Sequence, residues 1–347
     1  MFKKIASFSL TVTALAFALG IVAPHAIAGP SQPLVTIETI PVGVGEPGNA
    51  ADPATGYGAV NNAFNMGKYK VTITQYVAFL NAVATVPPNP VIKGLYKDEM
   101  GDIDEDPGVL IERTGAGTVG DPYQYTVAFS PSWGKSSGDR PIPWVTWFDA
   151  ARFANWMHNG ATNGAPTETG AYTLVNYQEQ GAVARNQDAQ FFIPSENEWY
   201  KAAYYDPTKG GVNLYWNYPA KSDKPPRIDL ASNNPEAPAA NFQNVYLGNE
   251  AGVLTPVGAY CSISPTYNSA SYYGTCDQGG LLWEWTEAAY PNPLTGPNRI
   301  VRGGSWGPGI TPLRKTIRRD YGPMGEDPFY FDDDTGFRLA TPFQIMK

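Results

Sequence analysis

The sequence predicts an irregular, loop-rich α+β fold in a single domain, and three observations carry that prediction. Its 36 Gly and 32 Pro make up about one residue in five of 347, a loop-rich share by the usual standard. Hydrophobic residues nevertheless reach 43% and aromatic ones 13%, so the chain can bury a sizeable core and is not a disordered one. Helix starts come first in the chain and short strand-like runs follow, with no linker dividing them, which is the α+β order.

Taken in order, residues 1–28 read as a secretory signal. Lys3 and Lys4 precede a mostly apolar run, Pro24 breaks it, and Ala26-Ile27-Ala28 is a small-x-small cleavage site before Gly29. A transmembrane anchor is the weaker reading, because the strongly apolar core is short. No second apolar run is long enough to span a bilayer. A secreted or periplasmic product is therefore expected, with no membrane span once the signal is removed. Residues 29–59 form an N-terminal extension with one strand candidate, Leu34 to Ile40. The main domain is expected over 60–345.

Three helices open with similar chemistry. Thr72-Ile-Thr-Gln75 is a capping box, in which the Thr hydroxyl and the Gln side chain each satisfy an end amide of the other. It leads into apolar residues at Ile73, Tyr76, Val77, Phe79, Leu80 and Val83. Thr146-Trp-Phe-Asp149 opens a second helix, with Gly160 as its stop. Ser195-Glu-Asn-Glu198 opens a third, ended by Asp206-Pro207. Gln190 to Ile193 and Arg299 to Arg302 are strand-like. Asp98, Glu99, Asp102, Asp104, Glu105 and Asp106 crowd one loop. The loop departs from the spacing of a calcium-binding EF-hand loop and reads as a solvated acidic segment.

Charge and composition exclude several functions. A net charge of -8 argues against a nucleic-acid binder, which needs a basic surface. The histidines are His25, in the leader, and His158. One histidine past the leader cannot build a His-based metal triad. Its place at a helix end points to a structural role. Cys261 and Cys276 are the only thiols, and an even pair in an exported chain reads as a disulfide. Closing that loop contributes about 3 kcal/mol on the chain-entropy model.

The order of motifs then becomes informative. Met66-Gly-Lys-Tyr-Lys-Val71 is followed by Arg140-Pro-Ile-Pro-Trp-Val-Thr-Trp147, then by Phe192-Ile-Pro-Ser-Glu-Asn-Glu-Trp199. Gly279-Gly-Leu-Leu-Trp-Glu-Trp-Thr-Glu287, Arg302-Gly-Gly-Ser-Trp306 and Asp334-Thr-Gly-Phe-Arg-Leu339 complete the series. This series resembles the formylglycine-generating-enzyme family, also called the sulfatase-modifying-factor domains. The resemblance covers about residues 60 to 340 and implies a domain related to C-type lectins.

The resemblance also implies what is missing. Oxidases of the family hold copper through cysteines three and eight residues past the serine of Arg-Gly-Gly-Ser. Here those positions are Pro308 and Leu313, and residues 302–320 contain no cysteine. Neither side chain offers the soft ligand that Cu(I) requires. Other branches bind iron through several histidines, which His158 alone past the leader cannot supply. No copper, haem or nucleotide cofactor is expected.

Calcium is the cofactor the resemblance leaves in place. One ion maps to the side chains of Asp277 and Glu284 with the carbonyls of Gly280 and Leu282. A second maps to Asn241, the Phe242 carbonyl and Glu250, with Asn249 as the alternative to Glu250. Two carboxylates and alternate carbonyls suit a hard cation, while loop capping plus a salt bridge to an Arg is the competing reading for Asp277 and Glu284. The groove that holds peptide in the oxidases maps to Trp283, Ser305, Trp306 and Arg314. Arg314, Lys315, Arg318 and Arg319 form a basic cluster that reads either as a site for an anionic ligand or as internal ion pairs, with Asp332 to Asp334 close behind. No Glu-Pro-Asn or Gln-Pro-Asp sugar motif is present. The expected function is a non-catalytic module that binds a peptide, protein or glycan. An enzyme of the same family with cysteine-independent chemistry is the alternative, and a structural or display module is a third.

Overall fold

The computed structural model describes residues 34–43, 46–102, 110–130, 135–174, 183–228, 239–242, 254–261, 268–290, 298–307, 309–319 and 331–343. The expected leader, Asp104, Glu105 and Asp106 of the acidic loop, Asn249, Glu250 and Pro308 lie outside them.

Helices form where the capping boxes stand. Helix α1 (Ile73–Val83) starts after Thr72, whose side chain accepts from the Gln75 amide while Gln75 returns the bond. A single turn, α2 (Pro90–Lys93), follows. Helix α3 (Trp147–His158) is capped by Thr146 and Asp149. Helix α4 (Glu196–Tyr204) is capped by Ser195 and Glu198. Between α1 and α3 the aromatic residues form the core. Phe79 meets Phe153 at 5.3 Å and Trp156 at 5.4 Å between ring centres, and Phe153 meets Phe337 at 5.5 Å. These edge-on and tilted contacts are the packing that aromatic quadrupoles favour.

The strands are short and the sheets open. Strands β1 (Thr39–Val42) and β2 (Phe64–Gly67) are followed by β3 (Ile111–Thr114), β4 (Gln124–Val127), β5 (Phe129–Ser130) and β6 (Lys135–Ser136). After the helices come β7 (Arg227–Ile228), β8 (Ala239–Ala240), β9 (Trp283–Tyr290), β10 (Asn298–Arg302), β11 (Thr335–Gly336) and β12 (Ala340–Pro342). One three-stranded sheet has the order β1-β2-β12, and another has β10-β9-β11. β3-β4, β5-β6 and β7-β8 are two-stranded pairs. β11 lies parallel to β9, with Gly336 opposite Glu284.

The expected strand Leu34–Ile40 is displaced toward the C-terminus. Its first residues are held outside any ladder, by Leu34 donating to the Ala161 carbonyl and by the Gln75 side chain donating to the Thr36 carbonyl. Pairing begins where β2 lies alongside, from Thr39 opposite Gly67 to Val42 opposite Phe64. The N-terminal segment is tied further in by Asp52, whose carboxylate meets Lys315 at 2.7 Å and accepts from Tyr200.

Candidate functional site

Glu284, on β9, has no solvent exposure. Its Oε1 accepts from the Lys70 ammonium at 2.6 Å and from Arg338 at 2.8 Å. Its Oε2 accepts from the Trp199 indole at 2.9 Å and from Arg338 Nε. Burial works to raise this carboxyl, but the charges of Arg338 and Lys70 outweigh it and hold the pKa at about 2. Arg338 also donates to the carbonyls of Gly67, Lys68 and Cys276. Lys70 donates to the Asp277 carbonyl at 2.5 Å. One buried group of charges therefore joins β2, α4, β9 and the segment between β11 and β12.

The two carboxylates expected for the first calcium are engaged within the protein. Asp277 directs its Oδ2 to the Gly258 amide at 2.6 Å, a loop cap. Burial raises its carboxyl, against that bond and the Lys70 and Arg338 charges. Glu284 has both oxygens bonded to cations and an indole. An added divalent ion would sit beside two buried positive charges, so the set Asp277, Gly280, Leu282 and Glu284 does not fit calcium while Lys70 is in place. Gly280 allows the turn that carries these residues. Its φ is +84°, and a Cβ there would lie 2.3 Å from the Asn241 carbonyl. Of the second set, Asn241 and Phe242 are buried, and the Asn241 carbonyl accepts from Leu281. Glu250 lies outside the described residues.

The expected groove divides. Trp283, Ser305 and Trp306 are buried, and each bonds the Asp333–Asp334 segment, Trp283 through its amide, Ser305 through its hydroxyl and Trp306 through its indole. The Ser305 hydroxyl donates to Asp334 at 2.8 Å. Arg319 bonds the other oxygen of Asp334 and lies 5.7 Å over the Trp283 ring. Arg314 is elsewhere, exposed and bonded to the Tyr218 hydroxyl. It lines a cavity of about 230 Å³ with Asn217, Asp223, Pro225 and Lys315. Leu313, at the second copper position of the oxidases, is fully buried with Tyr218, Ala240 and Phe242. Gly303 explains the Arg-Gly-Gly-Ser motif without chemistry. At φ +100°, a Cβ would lie 2.6 Å from the Gln278 carbonyl and against Trp199.

The remaining candidates take structural places. Cys261 and Cys276 form a disulfide with 5.8 Å between their Cα atoms, and no described cysteine is free. Three of the four basic-cluster residues pair internally. Lys315 meets Asp52, Arg318 meets Glu196, and Arg319 meets Asp334 and Asp332. His158 accepts from the Gln190 amide at 3.0 Å, a structural contact. Asp98 pairs with Arg113 at the surface.

Sequence reasoning passed over Lys70. No alternation marks it: the strand ends at Gly67, the chain bends at 68–69, and Lys68, of the same parity as Phe64 and Met66, is half-buried and pairs with Glu38.

The pattern of the sulfatase-modifying factor enzyme 1-like domain matches residues 30–342. The chain belongs to this family. Among curated relatives of this sulfatase-modifying-factor domain, Hercynine oxygenase of Mycolicibacterium smegmatis is 29% identical over 224 residues, 58% of this chain and 38% of the relative. Hercynine oxygenase of Mycobacterium tuberculosis is 29% identical over 182 residues, 48% of this chain and 35% of the relative. The chain thus spans little more than a third of the length of these relatives. Among solved structures, CarF is 18% identical with a TM-score of 0.48, covering 89% of this chain and 99% of that one. PvdO from Pseudomonas aeruginosa is 16% identical with a TM-score of 0.40, covering 89% and 92%. The irregular α+β architecture with small open sheets is that of the sulfatase-modifying-factor domain. Among the described residues, no helix is long and apolar enough to cross a membrane.

Proposed function

We propose that this sulfatase-modifying-factor domain is an exported, non-catalytic module that binds a peptide, protein or glycan and generates no formylglycine. The observation that carries the reading is where the sulfur lies. The chain's two cysteines are bonded to each other, 29 or more residues before Ser305. Residues 302–320 supply no thiolate for a copper ion. Ser305 and Trp283, which flank the oxidase centre in the resemblance, are buried and engaged with Asp334 and Arg319. The leader and the disulfide support export into an oxidising compartment.

A second reading rests on one finding, that the matching relatives are named Hercynine oxygenase. On that reading the domain takes part in oxygen chemistry. The scarcity of histidine, His25 and His158 alone, weighs against an iron centre built by this chain.

One experiment separates the readings. Purified protein is incubated with a cysteine-containing sulfatase peptide, Cu(I) and oxygen, and the peptide is weighed by mass spectrometry. A parallel oxygen electrode receives hercynine and ferrous iron. The binding-module reading expects an unmodified peptide and a flat oxygen trace. A copper-dependent aldehyde product, or oxygen uptake that needs hercynine, would overturn it.

A further inference from the structure

The buried charges around Glu284 balance without any ion. Lys70 and Arg338 supply two positive charges, and Asp277 and Glu284 supply two negative ones. All four are at least nine-tenths buried, so their charges cannot be offset by water. The Lys70 ammonium is bonded to a carboxylate oxygen of Glu284 and to the backbone carbonyl of Asp277. A carboxylate and a main-chain oxygen of one turn are the kind of donors a hard divalent ion takes. Lysine reaches them from a segment 207 residues earlier than Asp277.

We propose that the Lys70 side chain is a built-in replacement for a divalent cation at the Asp277–Glu284 turn, so that this turn holds its shape without metal. The ammonium supplies one charge and up to three hydrogen bonds where an ion would supply two charges and six or more oxygen contacts. Arg338 supplies the second charge and bonds both oxygens of Glu284. Removing Lys70 leaves Arg338 against two carboxylates, a net charge of about −1, and frees oxygens on Glu284 and Asp277. The turn then has the charge and donors to draw in a divalent ion.

The test compares wild type with Lys70→Ala after chelator treatment. Each is titrated with calcium while its melting temperature is followed, and with terbium while tryptophan-excited luminescence is followed. Trp199, bonded to Glu284, is the expected sensitiser. Wild type should bind no ion that depends on Glu284. Lys70→Ala should bind one more ion than wild type, at least tenfold tighter at this turn. Its melting temperature should rise with each tenfold step in calcium. Adding Glu284→Gln to Lys70→Ala should abolish both gains. Three results would each overturn the proposal. One is a wild-type ion that Glu284→Gln removes. Another is an equal ion count in wild type and Lys70→Ala. The third is a Lys70→Ala chain that stays unfolded up to calcium on the order of 10 mM, above the range of weak extracellular sites.

Discussion

Replacing Glu284 by Gln keeps the shape of the side chain and removes one charge. In the native protein both carboxylate oxygens accept from cations, Lys70 on one and Arg338 on both. An amide turns one of these acceptors into a donor that faces a buried cation. The size of the effect follows in two ways. A carboxyl whose pKa drops from 4.5 in the unfolded chain to about 2 in the folded one contributes about 3 kcal/mol of stability at neutral pH. Breaking a buried ion pair by removing one partner costs about 3–5 kcal/mol. The two routes agree. With an unfolding entropy of about 2.1 cal/mol/K per residue, a loss of this size lowers the melting temperature of a domain this long by roughly 5–8 °C. The sign with pH is fixed, because the folded pKa is the depressed one. The Glu284 contribution is present above about pH 4.5 and fades as pH falls toward 2. Urea unfolding of wild type and Glu284→Gln at pH 7, 5, 4 and 3 is the assay. The gap between them should be full at pH 7 and 5 and should narrow below. A variant within about 1 kcal/mol of wild type at pH 7, or a gap unchanged down to pH 3, would refute the reasoning.

Three further outcomes are expected. The unreduced protein should take up no alkylating reagent at Cys261 or Cys276 by intact mass, and Cys261→Ser with Cys276→Ser should lose about 3 kcal/mol in urea unfolding. Gly303→Ala places a Cβ 2.6 Å from the Gln278 carbonyl at φ +100°, so it should destabilise by more than about 1 kcal/mol; an unchanged denaturation midpoint would contradict the close packing described for this motif. Ser195→Ala removes the α4 cap and should cost about 1 kcal/mol, read from the same midpoint.

What could be read from the sequence divides by distance along the chain. The three capping boxes are contained within four residues each, and all three helices begin where those residues stand. The strand run Arg299–Arg302 was legible because its apolar and basic residues form one short segment, now β10. The strand at Leu34–Ile40 was misplaced because strand limits depend on where a partner runs, and β2 is only four residues long. The site shows the same division. The motifs around Glu284 and Arg338 were visible as words, but the meeting of Lys70 with Glu284 spans 214 residues. Nothing local in either segment announces the other. The groove was half legible: Trp283, Ser305 and Trp306 all bond the Asp333–Asp334 segment, whereas Arg314 lines a cavity with Asn217 and Asp223, and Leu313 before it is anchored in a separate apolar cluster.

The knot around Glu284 also sets an order of events in synthesis. Lys70 and Trp199 leave the ribosome long before Glu284, and Arg338 follows 54 residues after that. Until Arg338 arrives, the carboxylate has one of its two cations, and β2 lacks the strand at Ala340–Pro342 that pairs with its other edge. Contacts this distant in sequence form late and slowly. A growing chain therefore cannot complete this cluster of charges until residues 338–342 have been made.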